Sequence, residues 1–163
     1  MKKLFLNLLP YIIIIVVVVL LRVFIVTLVR VNGTSMNPTL EDKEVILLVK
    51  ATKYFKDYDR FQIVVVKEGN SYIIKRIIGL PGETIKCIDG LIYIDGKLLE
   101  DLYGDGITSN FTEVNLDNDE YFVMGDNREV SQDSRVIGPV KKSTIKGYAY
   151  LIVYPFNEFG KTK

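Results

Sequence analysis

The chain has 163 residues, with 21 Lys+Arg against 20 Asp+Glu, no His and one Cys. Without His there is no His-based catalytic triad and no His-ligated zinc site, and a single Cys excludes an internal disulfide or a Cys-rich zinc site. Residues 1–30 hold four basic groups (Lys2, Lys3, Arg22, Arg30) and no acid, which leaves 17 basic against 20 acidic groups in residues 31–163. That mildly acidic remainder is ill suited to a phosphate backbone, so no nucleic-acid partner is expected.

Residues 4–21 are 18 positions without a charge, and residues 23–29 add seven apolar or weakly polar ones. About 20 apolar residues span a bilayer. The expectation is one transmembrane helix over residues 4–29, with the lipid bilayer as its partner. Pro10 would kink it, and Arg22 lies near enough to the far end to snorkel. The β-branched run at residues 12–19 is a weak helix former in water but ordinary in lipid. A cleaved secretory signal would have a shorter apolar core and a small-residue cleavage site. The chain has only two alanines, Ala51 and Ala149, so a retained anchor is expected. Lys2 and Lys3 point to a cytoplasmic N-terminus with the rest outside, a single-pass cell-membrane arrangement. Arg22 and Arg30 on the other flank pull against that orientation.

From residue 31 onward the pattern is strand and turn. Residues 44–49, 61–66, 72–78, 84–88, 91–94, 120–124 and 148–154 read as strands. Asp89-Gly90 is a hairpin signal and Asp95-Gly96 a second turn. Leu80-Pro81-Gly82-Glu83 has the central pair of a type II turn. Residues 52–56 read as a turn, residues 103–118 as a loop, and Cys87 as a small buried strand residue. The expected fold is mainly β: residues 1–30 as cytoplasmic tip and anchor, then one antiparallel β domain over residues 31–163, outside the cell.

With His absent, nucleophilic catalysis needs Ser or Thr activated by Lys, or a pair of acids. Three segments bear on this. In Gly33-Thr34-Ser35-Met36-Asn37-Pro38-Thr39-Leu40, Ser35 is a turn residue by composition. It also stands five residues past Arg30, within roughly 16 Å of extended chain of the anchor's end. On the strand around Lys75, alternation puts Ile73, Lys75 and Ile77 on one face and Ile74, Arg76 and Ile78 on the other. If the Lys75 face is buried, the amine is desolvated, its pKa falls, and it can accept a proton from a serine hydroxyl. If not, its stem packs on apolar surface and its head reaches water. The third segment, Gly125-Asp126-Asn127-Arg128-Glu129-Val130-Ser131-Gln132-Asp133-Ser134-Arg135, is either a solvated loop or a polar network that buries charge in pairs and positions another group.

Taken in order, the apolar N-terminus, Ser-Met-Asn-Pro-Thr-Leu at 35–40, Lys-Arg-Ile-Ile-Gly-Leu-Pro-Gly-Glu at 75–83 and Gly-Asp-Asn-Arg followed by Ser-x-Asp-Ser-Arg at 125–135 resemble a type I signal peptidase in its short, single-span bacterial form. The resemblance covers most of the chain and implies a β-rich Ser-Lys endopeptidase that removes signal peptides from exported preproteins after small-x-small motifs. It implies Ser35 as the nucleophile, Lys75 as the general base, and the Ser35 main-chain N–H as part of the oxyanion hole. Ser131 matches a serine that positions the lysine; Asp126, Asp133 and Arg135 match framework residues. Some members carry a serine two positions before the nucleophile as an oxyanion donor. Here that position is Gly33, and a backbone N–H or Thr34 is left to replace it. The endoplasmic-reticulum branch uses His where this chain has Lys75.

Family substrates bind as an added strand over shallow pockets, and Met36, Leu40, Ile73 and Ile74 are the expected apolar pocket walls. Neither a metal nor a cofactor is implied, and no oligomeric state is legible. Two other readings stand beside this one. One is an inactive, membrane-tethered β module that binds partners. The other is a self-cleaving repressor-type Ser-Lys peptidase, which calls for a DNA-binding domain where residues 1–30 suggest an anchor.

Overall fold

The computed structural model describes residues 2–51 and 56–162. The chain opens with α1 (Lys2–Phe24), 23 residues with Pro10 inside it. Residues 8–20 are all exposed, so no described part of the chain covers this apolar run. In α1 the continuous run of described side chains is residues 7–20, and among the described residues no helix is long and apolar enough to cross a membrane.

The helix does not reach residue 29. It stops at Phe24, and Val26–Arg30 forms strand β1, paired antiparallel with β2 (Val45–Val49) from Val26↔Val49 to Arg30↔Val45. The β-branched Val26, Thr27 and Val29 prefer extended backbone once a partner strand is present. Lys50 closes the junction: its N–H donates to Ile25 O and its Nζ to Arg22 O, both at 2.7 Å. The second bond satisfies one of the carbonyls that every helix C-terminus leaves open.

The remaining strands are β3 (Ile63–Glu68), β4 (Ser71–Gly79), β5 (Thr84–Ile88), β6 (Leu91–Ile94), β7 (Lys97–Leu98), β8 (Phe111–Asn115), β9 (Glu120–Met124), β10 (Val140–Lys141), β11 (Ile145–Tyr154) and β12 (Gly160–Lys161). They build a larger sheet ordered β1-β2-β11-β3-β4-β9-β10, with β12 on β11, and a smaller one ordered β7-β6-β5-β8. All the pairs are antiparallel, as the alternating sequence pattern predicts. Asp89 and Gly90 both take positive φ between β5 and β6, as do Asp95 and Gly96 between β6 and β7, the conformation a two-residue hairpin demands. Residues 103–118 are not all loop: β8 lies within them, because Phe111 and Val114 pack against the β5–β6 core. The turn read at residues 52–56 lies, except for Lys56, outside the described residues.

Three apolar clusters divide the core. β9 serves two of them: Tyr121 and Val123 pack with Val64, Ile77 and Ile145, while Phe122 and Met124 pack with Ile78, Ile85 and Cys87. A strand covered on both faces has no polar alternation, which explains the unbroken Tyr-Phe-Val-Met run. The third cluster joins Val31, Met36 and Leu40 to Ile46, Ile63, Ala149 and Ile152. Each of these side chains apart from Ala149 stabilises the fold by about 1.5–3 kcal/mol on full burial. Met36 and Leu40 therefore pin the segment after β1 to the sheet, and the residue between β1 and that anchor, Ser35, is held in place.

Candidate active site

Ser35 sits in the turn that follows β1. Leu40 N–H donates to Met36 O at 2.9 Å, Lys43 N–H to Val31 O at 2.9 Å, and Val31 N–H to Glu44 O at 2.8 Å, closing the turn on itself. The carbonyl of Ser35 accepts from Asn127 N–H at 3.1 Å, tying the turn to the segment after β9. Gly125 makes that approach possible. A Cβ there would overlap both the Ser35 carbonyl oxygen and Ser131 Oγ.

Lys75 lies at the centre of β4, opposite Val64 of β3, and is 3% exposed. Its Nζ is 2.6 Å from Ser35 Oγ, a hydrogen bond between residues 40 apart in sequence. Burial pushes the amine below the usual lysine range. The Asp133 carboxylate pulls it back up, and the Arg135 guanidinium lowers it again. Desolvation dominates, so the neutral amine is favoured relative to a lysine in water. A neutral amine has a lone pair to accept the serine proton across that 2.6 Å contact.

Behind the pair the polar groups are matched. Arg76, the next residue on β4, donates from Nε to Asp126 Oδ1 at 2.8 Å and from NH2 to Asp126 Oδ2 at 2.7 Å, a two-pronged pair 1% exposed on both sides. Its guanidinium also donates to Phe61 O at 2.8 Å and Thr39 Oγ1 at 3.2 Å, and lies 3.8 Å from the centre of the Tyr103 ring. Asp133 caps the short helix α2 (Ser134–Ile137) and accepts Gly125 N–H at 2.9 Å. Arg135 grips it with two bonds of 2.9 Å. Burial alone would raise the Asp133 carboxyl; the bonds from Arg135, the Ser131 hydroxyl and the Gly125 N–H outweigh it and hold the carboxyl below the ordinary range. Asp126 and Asp133 are thus charged struts of the segment that carries Asn127 and Ser131.

Of the residues singled out from sequence, Ser35 and Lys75 meet directly, and Asp126, Asp133 and Arg135 gather behind them. Ser131 Oγ is buried beside Gly125; it acts on the Asp133 carboxyl and makes no hydrogen bond to Lys75. Met36, Ile73 and Ile74 line a cleft of about 540 Å³ that opens beside Ser35 and Lys75. Leu40 is fully buried in the third cluster and is not among the cleft-lining residues. The cleft runs between β1 and the first half of β4; among the described residues β1 pairs only with β2, and β4 only with β3 until Arg76. Two strand edges therefore face it.

Sequence reasoning missed the strap over residues 101–109. Asp101 is ion-paired to Arg128 NH2, Thr108 Oγ1 accepts from Arg128 NH1 at 2.8 Å, and Arg128 Nε donates to Gly125 O at 3.1 Å. Asp105 N–H donates to Asp126 O at 2.7 Å. Glycine- and aspartate-rich sequence reads as solvated loop, and the one available signal was the aromatic Tyr103 among polar residues. Among the described residues no group of three or more His, Cys, Asp or Glu stands together to hold a metal.

The family model for signal peptidase, peptidase S26, matches residues 5–154. The chain is 42% identical over 164 residues to a signal peptidase I of Bacillus amyloliquefaciens, covering 93% of this chain and 89% of that protein. It is 39% identical to signal peptidase I S of Bacillus subtilis (strain 168), over 91% of this chain and 88% of that one. A crystal structure of a signal peptidase I from Enterococcus faecalis V583 superimposes with a TM-score of 0.52 at 32% identity, over 57% of this chain and 97% of that one. The chain belongs to the signal peptidase family, peptidase S26, and is a serine peptidase of that family.

Proposed function

We propose that the chain removes signal peptides from exported preproteins, with Ser35 and Lys75 as its catalytic dyad. The observation that carries this reading is the 2.6 Å contact between Ser35 Oγ and a buried amine whose pKa is lowered. Ser35 Oγ attacks the scissile carbonyl while Lys75 Nζ takes its proton. Lys75 then passes that proton to the leaving amine, and the signal-peptide acyl group remains on Ser35 as an ester. Lys75 next deprotonates a water that attacks the ester, and its proton returns to Ser35. The Ser35 N–H stabilises the oxyanion in both halves. Gly33 N–H is engaged with Asp42 Oδ1 at 2.8 Å, so the second donor falls to Thr34, exposed next to Ser35. Ser131 acts on the lysine through Asp133: its hydroxyl helps keep that carboxyl ionised, and the carboxylate charge reaches Lys75. Asp126, Asp133 and Arg135 keep its segment in place.

The substrate adds as a strand against the edges of β1 and β4 that face the cleft, with small side chains over Met36, Ile73 and Ile74. The chain works tethered. Helix α1 has 23 residues, roughly 35 Å at 1.5 Å each, against about 30 Å of hydrocarbon. Its exposed apolar run at residues 8–20 needs a cover that the described chain does not supply, and lipid is that cover. Lys2 and Lys3 then lie on the cytoplasmic side and the β domain outside the cell membrane.

Full-length protein in detergent is expected to cut a preprotein after its small-x-small motif. Ser35→Ala and Lys75→Ala are expected to abolish cutting, and kcat/KM should rise with pH through the depressed pKa of Lys75 to a plateau, because the neutral amine is the working form. Cutting by Ser35→Ala, or full activity at pH 5 with no rise toward 8, overturns the reading.

A further inference from the structure

The cleft is electrically one-sided. Among the described residues its wall carries Arg30, Lys50, Lys75 and Lys146 and no carboxylate. The domain as a whole leans the other way, with 17 basic against 20 acidic groups over residues 31–163. Lys75 belongs to the dyad; the other cations have no part in the chemistry.

Two of them are placed by specific features of the backbone. The pairing of β11 with β3 skips a residue between Ile145↔Val66 and Gly147↔Val65, and the skipped residue is Lys146. A bulge of this kind re-aims a side chain, and here Lys146 joins the cleft wall. A Cβ on Gly147 would overlap the Val49 carbonyl oxygen, so only glycine lets β11 lie this close to the end of β2. Lys50 follows Val49 directly, with its Nζ on Arg22 O at the end of α1. Lys50 therefore stands at the α1 end of the cleft, and Lys146, next to Gly147, stands beside it across the β2–β11 contact. Lys146 is half-buried and makes no ion pair among the described residues.

We propose that Lys146 and Lys50 form a cationic subsite that reads substrate charge within the six positions on the amino side of the cut, favouring an acidic residue and rejecting Lys or Arg. The inference rests on the peptidase reading above. On β1, Ile25 beside Lys50 is six residues before Val31, about 20 Å of extended chain at roughly 3.3 Å per residue. Along β4 the interval is shorter: Lys146 falls between the rows of Val65 and Val66, which pair with Ile74 and Ile73, one to two residues from Lys75. The two strands that face the cleft therefore bracket the lysines within six residues of the dyad on the α1 side, the side from which a signal peptide seated in lipid would enter. Like charges brought together in a half-buried cleft repel more strongly than in water, and repulsion of the wrong partner is an efficient source of specificity.

The test uses the full chain in zwitterionic detergent and peptides carrying Glu, Gln or Lys singly at position two and at positions four to seven before the cut, positions one and three being kept small. At one of these positions the unmodified protein is expected to rank Glu above Gln above Lys in kcat/KM, with a Glu-to-Lys ratio of about fivefold that shrinks with salt. Lys146→Glu should invert the ranking and Lys146→Gln flatten it. The ratio is taken within each variant, so partial loss of folded protein cancels. An identical ratio in Lys146→Glu, or no ranking at any position in the unmodified protein, overturns the proposal. A Lys146→Glu variant that keeps its ratio but loses stimulation by anionic phospholipid vesicles assigns the lysine to the lipid surface, which also overturns it. Failure of the unmodified protein to cut any of the peptides sinks the peptidase reading itself, a different result from cutting them all without regard to charge.

Discussion

Lys75 and Arg76 are neighbours on one strand, both almost wholly buried, and the fold treats them in opposite ways. Arg76 enters the interior with a carboxylate on two of its nitrogens, two further acceptors and an aromatic ring against its plane. Lys75 enters with a neutral hydroxyl at 2.6 Å and isoleucines beside it on the strand. A guanidinium cannot give up its proton, so burying it requires a matched counter-charge. An amine can, so burying it without a matched partner turns it into a base. Burial alone does not decide which outcome follows; the partner does. The framework and the dyad use the same physical effect, desolvation, for rigidity in one case and for reactivity in the other.

That contrast can be broken from either side. The largest effect is expected from Asp126→Asn, which strands the Arg76 charge in the interior and should lower the unfolding free energy by about 3–5 kcal/mol, read by denaturant titration. A loss below 1 kcal/mol would mean the pair is not the strut described here. Next comes Gly125→Ala. Its Cβ would overlap the Ser35 carbonyl oxygen and Ser131 Oγ, so the turn must shift and the dyad with it. A misplacement near 1 Å costs on the order of a hundredfold in kcat. Unchanged kcat would show that the turn tolerates the displacement.

The smallest effect sharpens the comparison most. Lys75→Met keeps the volume and removes the desolvated amine. Between the lowered folded pKa and the unfolded value near 10.5, the unfolded chain binds more protons than the native one, so wild-type stability rises with pH across that window. At neutral pH the native protein bears the cost of stripping that proton or burying the charge, and Lys75→Met does not. The inactive variant is therefore expected to melt a few degrees higher at pH 7, with the gap narrowing toward pH 10. A variant that melts lower at pH 7 would show that the amine stabilises the fold instead of straining it.

The parts of the molecule that sequence made legible are those governed by local rules. The Asp-Gly hairpins demand positive φ at both turn residues and have it. The alternation around Lys75 sends Ile77 to one cluster and Ile74 and Ile78 to others, as a period of two requires. The end of the helix was less legible. Residues 25–29 are apolar and suit either a membrane helix or a strand, and only the presence of β2 alongside selects the strand. Residues 103–118 hide β8 and the clamp on Arg128 for a related reason: their polar groups look solvated until the partners arrive from elsewhere in the chain. Leu40, expected in a pocket wall by its place beside Ser35, turns inward because the turn needs an apolar anchor.

Residue order by itself established an apolar lead segment, a β domain without His chemistry, and a serine and a lysine whose surroundings suit them to work together. Local periodicity and the absence of whole residue types are enough for that. Whether that lysine is a base was decided only when strands far apart in the chain closed over it. Proton affinity depends on how much water the folded packing removes and which charges it leaves nearby, and neither quantity exists until residues 35, 75 and 133 are brought into one place.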